Sequence, residues 1–316
     1  FLLSWVKRCS LEGCELAGLY EPAYYRCSYF GLRELRGHTD TPPCSFRDRL
    51  QLPACRFQMG QPAWLKSMTP PTGSSGEYDN EIYDPSFVQQ LFDEMALTYG
   101  LVNMISSFGF CRIWRRQCVR QIEIPQGCIA VDLMTGMGEL CPDLARRVGS
   151  DGNILAVDIS PVMCKKARRY EAGQLSCHVE VIEADALCSD LPSDHADVVI
   201  SSFGLKTFST AQLYKLAEEI QRILKPNGLF SFVEISVPPS RWLRRPYMFY
   251  LENIIPMIGR LFMGNPENYR MLNVYTEAFD NCQSAATAFR AAGLETSVRS
   301  FFFGCATGLV GRKTEI

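Results

Sequence analysis

From Cys128 onward the chain alternates short apolar runs with amphipathic stretches, and this alternation limits the fold more than any other feature of its 316 residues. After Pro125-Gln126-Gly127, strands are expected at Cys128–Leu133, Ile154–Asp158, Glu180–Ile182, Val198–Ser201, Leu229–Glu234, Leu294–Phe301 and Thr307–Gly311. Helices are expected near 138–148, 161–172, 210–224 and 281–292. Strands and helices joined by short connections require a parallel sheet covered on both faces. The last two strands have no helix between them, which implies an antiparallel edge. The expected fold is therefore an α/β, Rossmann-like, seven-stranded and mostly parallel sheet with an antiparallel edge strand.

Ahead of this core, the stretch DPSFVQQLFDEMALTYGLVNMISSFGFCRIWRRQCV spaces Val88, Leu91, Phe92, Met95 and Ala96 at helical intervals, with Asp84 suited to an N-cap and Pro85 to the first helical position. It predicts a helical N-terminal lid over 84–123 on a core over 124–316, with an insertion at 241–275. The run Pro70-Pro71-Thr72-Gly73-Ser74-Ser75-Gly76 has the composition of a flexible linker, so residues 1–76 are read as extension and linker and 77–316 as the folded domain. Residues 1–67 carry nine Lys/Arg against six Asp/Glu and five cysteines, without sustained periodicity. The chain starts at Phe1, and Phe1–Val6 with Lys7-Arg8 behind it is too short and wrongly charged for an intact secretory signal. A shortened targeting sequence, a translated upstream region, an Arg-rich organelle transit peptide and a genuine extension all fit this segment.

Apolar residues make up 47% and charged residues 21%, a globular balance that argues against wholesale disorder. A net charge of −2 offers no overall positive field for a nucleic-acid backbone. The apolar stretch Ile254–Met263 is broken by Pro256 and Arg260 and falls short of the ~20 residues that cross a bilayer, so a soluble chain is expected. Fourteen cysteines, scattered and without a C-x-x-C pair, read as reduced buried thiols in a reducing, intracellular compartment. His38, His178 and His195 show no ligand spacing with them, so no metal is expected.

The densest local signal is Ile129-Ala130-Val131-Asp132-Leu133-Met134-Thr135-Gly136-Met137-Gly138-Glu139, an apolar strand entering a Gly-x-Gly turn and then a helix. Such a turn lets backbone N–H groups approach a nucleoside-bearing ligand; alone, it is also an ordinary tight turn. The next strand ends at Asp158, about 20 residues past the glycines, where this geometry places a carboxylate beside ribose hydroxyls; a helix N-cap is the plainer role. Cys141 stands where a dinucleotide fingerprint needs its third glycine, which disfavours a pyrophosphate site. Asp132 inside the strand suits a cofactor with a positive amino group. Asp185-Ala186, after the third strand, face the same side, where Asp185 can accept from an adenine amino group or simply sit in a solvated turn.

On these motifs the chain resembles the UbiE family of ubiquinone and menaquinone biosynthesis C-methyltransferases over residues 85–313. The loop DLMTGMGEL, then AVDISPVM, EADAL, VVISSFGLKTF and ILKPNGLFSFVEIS follow the family's order and spacing, as do YLENIIPMIGRLFMGNPENYRML and the ending GLVGRK. The resemblance implies S-adenosyl-L-methionine as cofactor. Met134, Thr135, Gly136, Met137 and Gly138 would wrap its methionine part, with Asp132 at the ammonium and Asp158 and Ile159 at the ribose. Asp185 and Ala186 would hold the adenine, Ser202 would line the pocket, and Tyr99 in the lid would cover it. The chain departs from the family at Met137 for threonine, Lys206-Thr207 for Arg-Asn, Val274-Tyr275 for Ser-Ile and Phe279-Asp280 for Phe-Pro, and it lacks the late histidine.

Because the sulfonium methyl is already activated, the protein's main tasks are aligning an acceptor and excluding water. Lys206 is the candidate base if burial lowers its pKa, against the alternative of a solvated lysine. Phe203, Tyr250 and Tyr269 are candidate acceptor contacts. The aromatic- and methionine-rich segment 241–275 reads either as an apolar cover over the acceptor or as helix packing. Its basic start, Arg241, Arg244 and Arg245, leaves peripheral membrane contact open. The expected reaction is C-methylation of a demethylquinone-like ring, with O-, N- or S-methylation of another small molecule as the alternative. The expected partner is that small-molecule acceptor, without nucleic acid and with a homodimer left open. The expected location is the cytoplasm, or a mitochondrion or plastid if the first segment is a transit peptide.

Overall fold

The computed structural model describes residues 81–262 and 264–315; the proposed extension 1–76 and its linker boundary lie outside the described residues. Helices here are numbered from the first described one. The lid consists of α1 (Pro85–Met95), α2 (Tyr99–Ser106) and α3 (Phe110–Arg120). Pro85 opens α1 with Asp84 as its N-cap, the Asp84 carboxylate accepting from the Ser86 N–H at 2.9 Å, as the sequence predicts.

The core then runs β1 (Ile129–Leu133), α4 (Cys141–Val148), β2 (Asn153–Asp158), α5 (Pro161–Ala167), β3 (His178–Glu183), β4 (Ala196–Ser202), α6 (Thr210–Ile223) and β5 (Leu224–Ile235). Next come α7 (Arg241–Phe249), a π turn over Tyr250–Ile254, α8 (Ile255–Leu261), α9 (Pro266–Phe279), α10 (Gln283–Ala291), β6 (Leu294–Phe301) and β7 (Ala306–Lys313). All seven expected strands and the four core helices are present. β5 starts earlier than expected because it includes the Lys225–Gly228 turn, where Asn227 takes φ 63°.

The strands lie in the order β3-β2-β1-β4-β5-β7-β6. Strands β1 to β5 are mutually parallel, and β7 runs against both β5 and β6. The antiparallel hairpin thus closes one edge; within it the reversed strand, β7, is inserted between β5 and the outermost β6. Successive strand residues point to opposite faces. Ala130 therefore enters the core under α3 and α4, and Val131 the one under α6 and α10. Both faces being covered explains why β1 and β4 read as nearly continuous apolar runs.

A third apolar cluster joins the lid to the insertion through Leu91, Met95, Val102, Leu251, Ile255 and Tyr269. All nine described cysteines are free thiols, eight of them buried. Among the described residues no helix is long and apolar enough to cross a membrane.

Candidate active site

The carboxyl ends of β1, β2, β3 and β4 open into one cleft of about 820 Å³, its mouth included. Brief departures from regular backbone build it. Met134, Gly136 and Gly138 all take positive φ (56°, 59° and 75°), which lets the chain leave β1, turn sharply and enter α4. At Gly138 a side chain would stand 2.9 Å from the Tyr170 ring, and at Gly204 2.5 Å from the Met134 sulfur, so both positions need glycine for close approach.

Two acids flank the turn. Asp158, at the end of β2, accepts from the Gly136 N–H at 2.7 Å and the Ser160 N–H at 2.9 Å, so a direct hydrogen bond ties the second strand to the Gly-x-Gly turn. Ser160 itself is the N-cap of α5, accepting from the Met163 N–H. Asp132, 1% exposed, accepts from the Thr135 hydroxyl at 2.5 Å through one oxygen, while its other oxygen, Oδ1, is buried with no protein partner. Burial pushes the Asp132 carboxyl up to about 7 and that of Asp158 to about 6, against the hydrogen bonds that favour their ionised forms.

The cleft lining brings together Tyr99, Met134, Thr135, Gly136, Asp158, Ile159, Asp185, Ala186, Ser202 and Phe203. Asp132 lies directly behind Thr135. Met137 and Gly138 shape the turn without lining the cleft: the Met137 side chain turns to the lid, its methyl 2.9 Å from where a Gly100 Cβ would be. Asp185 also accepts from the Leu187 N–H, so the turn role and a place in the cleft coexist.

Three acceptor-side expectations are corrected. Lys206 is 1% exposed, and its amine donates to Phe203 O at 2.7 Å and to Glu234 Oε1 at 2.9 Å, which locks it below the cleft floor as a structural ion pair instead of a base. Tyr250 donates to Ser106 O at 2.6 Å, and Tyr269 shares a hydrogen bond with the Thr98 hydroxyl at 2.7 Å. Both phenols fasten the insertion to the lid and neither reaches the cleft. No described residue of the 241–275 segment lines the cleft, and the segment packs against the lid.

The sequence reading missed a different set. Arg115 from α3 reaches the cleft, pairs with Glu139 at 3.1 Å and lies 5.3 Å above the Phe203 ring. In sequence it is one of several basic residues on an amphipathic helix, with nothing to single it out. Gln212 had a readable signal, the Ser209-x-x-Gln212 capping box; its amide also donates to Tyr83 O and ties α6 to the start of the lid. Tyr83, Val88, Phe92 and Phe208 complete the wall.

The ubiE/COQ5 methyltransferase family matches residues 79–313. The chain belongs to this family. It is 28% identical over 230 residues to a demethylmenaquinone methyltransferase of Desulfitobacterium hafniense, covering 72% of this chain and 90% of that one. To the demethylmenaquinone methyltransferase of Lactiplantibacillus plantarum it is 30% identical over 228 residues, covering 72% and 95%. A solved SAM dependent methyltransferase from Aquifex aeolicus is 19% identical, with a TM-score of 0.46, over 72% of this chain and 97% of that one.

Family membership makes the chain an S-adenosylmethionine-dependent methyltransferase, and its residues fit that cofactor. The unpartnered Asp132 oxygen is an acceptor awaiting a donor such as the methionine ammonium. The left-handed turn keeps side chains out of the space beside the backbone of 134–138, where the methionine part would be held. Asp158 and Asp185, which line the cleft, would supply acceptors for ribose and adenine, and Tyr99 from the lid would close over them. Burial and the nearby Glu139 carboxylate keep the Tyr99 phenol protonated.

A pH dependence follows. In the free protein the two acids hold protons more tightly than in the unfolded chain, so their contribution to stability is full below their ordinary value of 3.8 and is lost as pH rises through about 6 to 7. A bound ammonium requires the Asp132 carboxylate and reverses this preference. Affinity for S-adenosylhomocysteine should therefore fall by up to roughly tenfold per unit as pH drops below about 7, with proton release on binding. Calorimetry in buffers of different ionisation enthalpy checks it; a flat profile from about pH 8 to 5.5 contradicts it.

Proposed function

We propose that this methyltransferase places the methyl group on a ring carbon of a hydrophobic, demethylquinone-like acceptor. The observation that carries this reading is the apolar wall facing the polar turn: Tyr83, Val88, Phe92, Phe203 and Phe208 line a space that suits a flat, weakly polar ring. The two relatives above, both named demethylmenaquinone methyltransferases, support it.

When bound, S-adenosylmethionine supplies an activated methyl electrophile, so the protein's own residues need only position, desolvate and tune the acceptor. Phe92 and Tyr99 from the lid, with their rings 5.9 Å apart, cover the cleft and displace water. Arg115 is held over Phe203 by Glu139 and presents a fixed cation at the same wall. A ring hydroxyl beside it favours its phenolate form, which raises electron density at the ring carbon to be methylated. In this reading the Arg115 charge favours the phenolate, in place of the base that the sequence suggested at Lys206.

The test is methyl transfer from labelled S-adenosylmethionine to a reduced short-chain demethylmenaquinone by the full chain. Label on the ring carbon, recovered in the organic phase, is expected. Label on oxygen, nitrogen or sulfur of a polar acceptor, with none on the quinone, contradicts the proposal.

A further inference from the structure

Four exposed aromatic residues of this domain lie on neighbouring segments. Phe302 is 49% and Phe303 78% exposed on the turn between β6 and β7, Phe108 is 55% exposed at the end of α2, and Trp242 is 93% exposed at the start of α7. Side-chain contacts join these segments into one face. Phe302 stacks on Phe110 of α3 at 4.4 Å, Phe108 lies 6.0 Å from Tyr250, and Tyr247 of α7 donates to Cys305 O at 3.2 Å. Gly304 abuts Pro239, which brings the start of α7 beside the phenylalanine turn.

The backbone shows that packing alone does not account for this face. Phe108, Phe302 and Phe303 all take positive φ (50°, 44° and 57°), a region that bulky side chains avoid and that Gly or Asn occupy more readily. The fold carries strain at these points and displays the rings to solvent.

The charges carried by these segments are basic. Residues 95–122, 235–251 and 296–314 contain no aspartate or glutamate, yet they carry Arg112, Arg116, Arg241, Arg244, Arg245 and Arg299, all exposed. Further along α3, Arg116 and Arg120 join Arg146 and Arg147 around a single acid, Asp143. Protruding aromatics among exposed arginines match an anionic lipid surface, where rings enter the interface and guanidinium groups meet headgroups. A symmetric contact with a second copy would instead set these arginines against themselves.

The face is also connected to the cleft. From Phe302 a line of rings runs inward through Phe110 to Trp114 at 5.6 Å and on to Phe203 at 6.4 Å, the cleft wall itself. We propose that the α2–α3 corner, the start of α7 and the Phe302–Phe303 turn form a docking face for anionic membranes, set so that the aromatic wall of the cleft continues to the lipid surface.

Sedimentation of the full chain with vesicles tests this without any acceptor, so its outcome is independent of which acceptor is methylated. Binding to vesicles of equal parts phosphatidylcholine and phosphatidylglycerol, weakened by salt and absent on phosphatidylcholine alone, is expected. Phe303→Asn combined with Trp242→Ser, and separately Arg244→Glu with Arg245→Glu, should each reduce it by roughly tenfold or more while the affinity for S-adenosylhomocysteine stays unchanged. Asparagine suits the backbone at 303, so loss of binding in that variant is not loss of folding. Wild-type protein that stays in the supernatant with both vesicle types overturns the proposal, as do variants that bind as well as wild type. A dimer that dissociates in the Phe303→Asn, Trp242→Ser variant, without vesicle binding by wild type, also overturns it and assigns the face to a second copy.

Discussion

Lys206→Met should destabilise the fold by about 3–5 kcal/mol, because it removes one partner of a fully buried ion pair. Glu234 is 0% exposed; its Oε2 accepts from the Lys206 N–H and its Oε1 from both the Lys206 amine and the Ile235 N–H. Without the amine, a carboxylate is left in the interior with backbone donors alone. Burial of a well-packed methionine does not offset that. The pair also anchors the start of the Leu205–Thr207 turn, whose neighbours Phe203 and Gly204 shape the cleft floor.

Lys206→Arg separates this role from general base catalysis. Arginine is the residue the family's own block carries at this position; it keeps the charge for Glu234 but cannot act as a base near neutral pH. The arginine variant should therefore keep its denaturation midpoint close to wild type and its methyl-transfer rate within a few-fold. If the amine were the base, the rate would drop by roughly 10²–10⁴-fold. Denaturant titration of both variants alongside their kcat/KM settles the matter: a stable but inactive arginine variant would restore Lys206 to catalysis.

The second large effect is at the cofactor. Asp158→Ala should weaken S-adenosylhomocysteine binding by about 1–3 kcal/mol, the cost of losing charge-assisted hydrogen bonds to the ribose. In dissociation constant that is roughly 5- to 150-fold. Part of the loss is indirect, since the Gly136 N–H is left without the acceptor that sets the glycine turn at 2.7 Å. Isothermal titration gives the value directly. An unchanged dissociation constant removes Asp158 from the site.

The two halves of the site differ in how far they could be read from the residues. The cofactor half is local. A strand, a glycine turn and an acid at the end of the next strand occur in order along the chain, and the parallel register between β1 and β2 then brings Asp158 to Gly136. Short apolar runs between amphipathic stretches likewise placed every strand, with errors only at the ends, as where the Asn227 turn joins β5.

The acceptor half is assembled from distant segments. Tyr83 precedes the lid, Arg115 lies on its third helix, Phe203 follows β4 and Gln212 begins α6. Nothing in their spacing announces that they meet. Lys206 misled for the same reason: its partner, Glu234, is on the next strand, and only the tertiary fold shows that the amine is already engaged. Tyr250 and Tyr269 misled because aromatic content marks an apolar face without saying what it covers; here it covers the lid. The departure from Arg-Asn to Lys206-Thr207 also takes on a different meaning. It preserves the buried cation, and Thr207 keeps a place on the cleft wall.

The most direct measurement is a crystal structure of the full chain with S-adenosylhomocysteine. The ligand should lie against the Met134–Gly138 turn, its amino group on the second oxygen of Asp132, its ribose hydroxyls on Asp158 and its adenine beside Asp185. A ligand bound elsewhere, or one in this cleft with those three carboxylates turned away from it, would contradict the account.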